Sequence, residues 1–216
     1  PRKAINIYTD LVDYYIKTKN YDRQVFMMLN SSGVYQRLGD FKTMGLVLDS
    51  IKNIMKDLDL PSNVNEGRLY FFTSVLKNWT HEYDSAIYYG EKSLSILSGN
   101  RKIDIREEAI IHAQMGNVYS SFGLYKRAIE KYKAAIELKI SKDPNTPYIA
   151  PEYANLALSY LYLLDLDLAK SYAFQSLEMK KKYFGENHLS TAYGFTLAGV
   201  ILNQLKDYPN SIENHR

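Results

Sequence analysis

The chain has 216 residues, 46% of them hydrophobic and 24% charged, with 27 Lys and Arg against 24 Asp and Glu for a net charge of +3. This is the balance of a folded globular protein, and it excludes disordered and membrane-embedded classes. Basic and acidic residues are interspersed, so no nucleic-acid stripe forms, and the lack of cysteine excludes disulfides, thiolate zinc sites and thiol catalysis.

Taken in chain order, residues 1–24 carry Ala4, Tyr8 and Leu11 on one helical face and read as the second helix of a preceding unit. From Val25 onward the sequence repeats. The clearest copy starts at Ala109, with Gly116 at position 8, Tyr119 at 11, Gly123 at 15, Tyr125 at 17, Ala128 at 20, Tyr132 at 24 and Ala135 at 27. The same frame starts at Val25, Gly67, Ala109, Ala150 and Ala192, in steps of 42, 42, 41 and 42.

Position 8 reads Ser32, Ser74, Gly116, Ala157 and Gly199, small residues that let two helix backbones approach. Position 20 reads Met44, Ala86, Ala128, Ala169 and Ser211, and position 17 reads Phe41, Tyr83, Tyr125, Leu166 and Tyr208. The first unit is the loosest, since Met44 and Ile51 stand where the others have small residues.

Each unit predicts two helices. Gly39-Asp40, His81-Glu82, Gly123-Leu124, Leu164-Asp165 and Lys206-Asp207 are the turns within units; Leu60 to Asn63 and Asp143 to Pro147 connect one unit to the next. About eleven helices are expected, the last a stub after Tyr208, and no strand. Pro1 stands where an initiator Met would, and the chain starts and stops inside a unit, so a piece of a longer protein is expected.

These columns, with Gly185-Glu186-Asn187-His188-Leu189-Ser190-Thr191-Ala192 as a connecting segment, resemble the tetratricopeptide repeat, in particular the 42-residue kinesin-light-chain type with its G-x-x-H-P-x-x-A link. Pro147-Tyr148-Ile149-Ala150 matches the second half of that link and Asn155-Leu156-Ala157 the N-L-A after it; Leu189 departs from the family's Pro. The resemblance implies an all-α right-handed superhelix of antiparallel helix pairs, a single array over residues 1–216. It implies a non-catalytic scaffold for a protein or peptide segment, as the sensor or adaptor region of a larger signalling protein. Two alternatives stay open: a receptor for a short signalling peptide, and the regulatory half of a caspase-like protease or histidine kinase.

At 100° per residue, positions 2, 5, 6, 9, 12 and 13 of each first helix share the face opposite the helix-packing side. On this predicted concave face stand Phe26, Leu29 and Asn30; Arg68, Phe71, Phe72, Asn78 and Trp79; Gln114, Asn117 and Ser120; Asn155, Leu158 and Tyr162; and Tyr193, Thr196 and Asn203. Amides suit bidentate pairing with a peptide backbone and aromatic rings supply apolar area. The candidate partner-binding residues are Arg68, Asn78, Gln114, Asn117, Asn155, Tyr162, Tyr193 and Asn203, with Asn117 and Asn155 expected to engage one extended strand. Phe71, Phe72 and Leu158 read equally well as core. With Arg68 the one cation on this face, capture of a terminal carboxylate ranks low.

No catalytic motif or cofactor signature appears. His81, His112, His188 and His215 fall in separate units, and His112 occupies a core position. His81-Glu82-Tyr83-Asp84 gathers possible metal ligands but lacks a paired-histidine spacing, so no metal is expected. Lys180-Lys181-Lys182 reads as a solvated helix end. Asn30-Ser31-Ser32 and Asn78-Trp79-Thr80 fit the glycosylation pattern but lie inside predicted helices. No cofactor, nucleic-acid partner or membrane insertion is expected, and the location expected is cytoplasmic.

Overall fold

The computed structural model describes residues 2–60 and 64–206. Among these residues ten α-helices follow one another: α1 (Arg2–Lys17), α2 (Tyr21–Leu38), α3 (Phe41–Asp57), α4 (Val64–Trp79), α5 (Tyr83–Leu97), α6 (Ile105–Ser121), α7 (Tyr125–Lys142), α8 (Ala150–Tyr162), α9 (Leu166–Phe184) and α10 (Leu189–Gln204). A 3-10 turn, Pro147–Ile149, leads into α8, and no strand occurs among the described residues. The expected stub after Tyr208, with Tyr208 and Ser211 themselves, lies outside them.

The turns within units share one design. Position 15 adopts a left-handed backbone at Gly39 (φ 71°), His81 (φ 62°), Gly123 (φ 79°), Leu164 (φ 61°) and Lys206 (φ 60°). The residue after it returns its N–H to the carbonyl five residues back, as Asp40 to Tyr35, Glu82 to Lys77, Leu124 to Tyr119 and Asp165 to Tyr160, the bond that closes a Schellman helix end. The next helix then starts at once. Asp40 and Asp165 cap it by accepting from the Thr43 and Leu168 N–H groups at 3.0 and 3.2 Å, whereas Glu82 and Leu124 make no side-chain cap.

The small columns lie where helices touch. Ala86, Ala128, Ala169 and Met44 at position 20 are fully buried, as are Ser32 and Ala157 at position 8. A Cβ on Gly116 would land in the Tyr132 ring, so α6 and α7 approach as closely as glycine allows. Two serines offset their own burial by donating to the partner helix: Ser74 to the Ala86 carbonyl and Ser176 to the Ala150 carbonyl, both at 2.7 Å.

The chain forms two compact units, Pro1–Ile103 and Asp104–Arg216. In the first, Val25, Leu29, Met44, Leu48, Ile51, Leu69 and Val75 form the core, with Phe71, Phe72, Tyr35 and Leu76 packed on it. Met44 and Ile51 break the small column yet are wholly buried; their extra volume fills the core that α2 and α3 share with α4. In the second unit Ala157, Ala169, Ala173 and Ile201 make an alanine-rich seam bordered by Tyr160, Tyr172 and Leu197.

Candidate functional site

The predicted binding residues fall in both units. In the first, Arg68 stands over the Phe26 ring, its guanidinium carbon 4.9 Å from the centroid. Phe71 and Phe72 meet edge to face at 5.0 Å and pack on the core. Leu29, expected on the open face, is 1% exposed: α4 lies against α2 as well as α3 does, and it covers that side of the helix. Trp79 is 54% exposed and stacks on Phe41 at 4.5 Å. Asn78, beside it, is half-buried, and its Oδ1 is buried without a hydrogen-bond partner.

In the second unit Gln114, Asn117 and Asn155 form a chain of amides across neighbouring repeats. Asn155 Nδ2 donates to Asn117 Oδ1 at 3.2 Å, and Asn117 Nδ2 reaches Gln114 Oε1 at 3.5 Å. The buried Tyr132 hydroxyl donates to the same Asn117 Oδ1 at 2.9 Å, and burial raises the phenol's pKa. Asn117 is therefore turned to internal bonding. It joins α6, α7 and α8 and has no acceptor capacity left for a partner's backbone. Asn155 keeps its side-chain Oδ1 without a donor from the described residues, while its backbone carbonyl accepts from the Ser159 hydroxyl at 2.8 Å.

Tyr162 stacks on Tyr125 at 4.7 Å with an interplanar angle of 9°, leaving the residue 61% exposed. Tyr193 on α10 is 64% exposed, and Asn203, near the other end of α10, is exposed as well. Leu158 sits between these levels on α8 and is partly exposed. The uncommitted groups of this face are thus Asn155 Oδ1, the outer ring face of Tyr162, Tyr193 and Asn203.

Sequence reading missed the two aromatic stacks, although a signal for them exists. Phe41 with Trp79, and Tyr125 with Tyr162, each pair position 17 of one repeat with position 13 of the next. It also missed a buried ion pair: Lys139 Nζ donates to Glu152 Oε1 and to the Tyr148 carbonyl, both at 2.7 Å, and pins the connection before α8. Lys180 corrects the reading of a solvated basic run. It is buried, and loss of hydration lowers its pKa; Lys181 pairs with Glu178 and Glu186, and Lys182 lies over Tyr183.

At the second turn His81 Nδ1 contacts the Tyr83 hydroxyl, while Glu82 binds Lys77 and Thr80, so these side chains serve the turn. Among the described residues no three His, Asp or Glu side chains stand together as metal ligands, and no described helix is long and apolar enough to cross a membrane.

No family model matches the chain. The TPR repeat-containing protein MJ1428 of Methanocaldococcus jannaschii is 27% identical over 177 residues, which cover 80% of this chain and 28% of that protein. The chain thus spans little more than a quarter of the length of the curated relative it matches. Among solved structures, BtubC (BKLC) from P. vanneervenii superposes with a TM-score of 0.77 at 17% identity, over 99% of this chain and 87% of its own. The nearly identical TPR-like repeats assigned to a kinesin light chain of Podosopora anserina give 0.70 at 13%, over 89% and 93%. The apo form of RapI gives 0.71 at 12%, over 88% and 67%. At these identities the structures speak for the fold alone.

Helix pairs, small-residue columns and the structural neighbours agree on the fold, the all-α, solenoid-like helix pairing of tetratricopeptide repeats, and the sequence relative is itself a TPR repeat-containing protein.

Proposed function

We propose that the chain is a non-catalytic scaffold that binds a protein or peptide segment across the exposed face of its first helices, as the sensor or adaptor region of a larger signalling protein. The observation that carries this reading is the row of uncommitted groups on α8 and α10. Tyr193 and the outer face of Tyr162 supply apolar area, and Asn155 Oδ1 offers an acceptor to a backbone N–H. Gln114 and Asn203 extend the row; Arg68 and Asn78 supply the equivalent polar groups of the first unit. Asn117 acts indirectly, by holding Asn155 in place.

Selection of random twelve-residue peptides on the purified chain tests the reading. Enriched peptides are expected to share a pattern and to lose about tenfold in affinity, or about 1.4 kcal/mol, with Asn155→Leu or Tyr193→Ala. Peptides indifferent to both changes but sensitive to charge reversal at Lys126 and Lys133 would move the interface to the second helices and overturn it.

A further inference from the structure

The repeat columns contain one conspicuous replacement. Position 11 is Tyr35, Tyr119 and Tyr160 in the first, third and fourth units and the apolar Leu202 in the fifth, but the charged Lys77 in the second. The tyrosines are built into the protein: Tyr119 is buried, and Tyr35 and Tyr160 pack on their units' cores. In the fourth repeat Tyr160 stacks on Tyr172, position 23, at 5.5 Å and 2°, and Tyr172 also meets Tyr153, position 4, at 5.8 Å.

The second repeat keeps the rest of this arrangement. Tyr89 is its position 23 and Tyr70 its position 4, and the two rings lie 5.8 Å apart. Lys77 supplies no ring, and its ammonium group is held by Glu82 Oε2 at 2.6 Å. What remains is a cleft of about 600 Å³ over α4, between α3 and α5, lined by Leu48, Met55, Leu69, Leu76 and the Tyr70 and Tyr89 rings. That volume falls within the range of ligand pockets.

The rim defines the rest of the occupant. Asp49 lines the cleft and stands at position 25 of its repeat, where the third repeat has Lys133, whose pKa the neighbouring Tyr160 hydroxyl raises above the ordinary lysine value. A carboxylate in that place accepts a hydrogen bond from a phenol. Lys52 and Lys56 also line the cleft, are exposed, and pair with no carboxylate of the described residues.

We propose that this cleft receives a tyrosine side chain of a partner segment, stacked on Tyr89 as Tyr160 stacks on Tyr172, with its hydroxyl toward Asp49 and a neighbouring carboxylate of the segment on Lys52 and Lys56. The proposal rests on the scaffold reading and adds to it a second contact and a sequence preference.

The probe is a capped acidic peptide with one central tyrosine, Glu-Asp-Glu-Tyr-Glu-Asp, titrated into the whole chain by calorimetry. Saturable binding with a Kd below about 1 mM is expected, weakened at least about tenfold when the tyrosine becomes alanine, and likewise by Lys52→Glu with Lys56→Glu. The decisive variant is Lys77→Tyr, which restores the repeat's own ring: binding is lost and the melting temperature rises. Lys77→Ala keeps the cleft open and keeps binding. Absence of saturable binding, unchanged binding to Lys77→Tyr, or a lower melting temperature for Lys77→Tyr overturns the proposal. Asn155→Leu and Tyr193→Ala leave binding of this probe unchanged. If selected peptides respond to those two residues while the acidic probe does not bind, the cleft proposal fails and the scaffold reading stands.

Discussion

Asn155 and Asn117, in adjacent repeats, meet through a single oxygen: Asn117 Oδ1 accepts from Asn155 Nδ2 at 3.2 Å and from the Tyr132 hydroxyl at 2.9 Å. The amide that looked best placed to grip a peptide is a structural joint, and the amide beside it is the one left with an open acceptor.

Replacing Asn117 with alanine strands the buried Tyr132 hydroxyl, so Asn117→Ala is expected to cost about 1–3 kcal/mol of stability. Asn155→Ala removes one half-exposed bond and costs about 0.5–1.5 kcal/mol. Urea denaturation of both single variants and the double variant checks this, since the two changes share an acceptor and their effects do not add.

Two glycines of the first helices separate sharply. Gly116→Ala drives a Cβ into the Tyr132 ring and is expected to destabilise by about 1–3 kcal/mol. Gly33→Ala, whose Cβ would meet Phe72 at an ordinary 3.5 Å, gains about 0.5–1 kcal/mol from helix propensity. Thermal denaturation of the pair reads out the sign of each.

The turns offer stabilising changes. Leu164 is 82% exposed and holds φ at 61°, a conformation that disfavours a branched side chain; Leu164→Gly is expected to stabilise by about 1 kcal/mol. Leu124→Asp supplies the cap that Asp40 and Asp165 provide in their own turns, for about 0.5–2 kcal/mol. Denaturant midpoints higher than that of the parent chain confirm both.

His112 gives stability an acid limb. Its pKa is lowered by burial first and by Lys131 second, against an opposing pull from Glu108, and its Nδ1 is buried without a partner. A base with a folded pKa below its unfolded value stabilises the fold while neutral, and that contribution falls as pH drops below the ordinary value of 6.5. Melting temperatures between pH 8 and pH 5 are expected to decline more in the parent chain than in His112→Phe.

How much of this was legible in the sequence depends on the kind of interaction. The helix pairs and turns were, because small residues recur in register at position 8, and at position 20 in every unit but the first, on either side of a short turn. The candidate face was only partly so. Angular position on a helix places Leu29 beside Asn30 but carries no information on how far α4 leans over α2, and it cannot tell an amide that faces solvent from one bonded to Tyr132. The stacks of Phe41 on Trp79 and Tyr125 on Tyr162 needed columns compared between neighbouring repeats, not within one. Lys180 was misread because a run of three lysines suggests solvent, while its own position turns inward.

The central claim, that α8 and α10 carry the binding face, is tested most directly by titrating a selected peptide into isotope-labelled chain and mapping the amide and side-chain NMR shifts. The account predicts the largest changes at Asn155, Tyr162, Tyr193 and Asn203, with the Asn117 side chain responding only through Asn155. Changes confined to the exposed sides of α7 and α9, with those four residues unmoved, would contradict it.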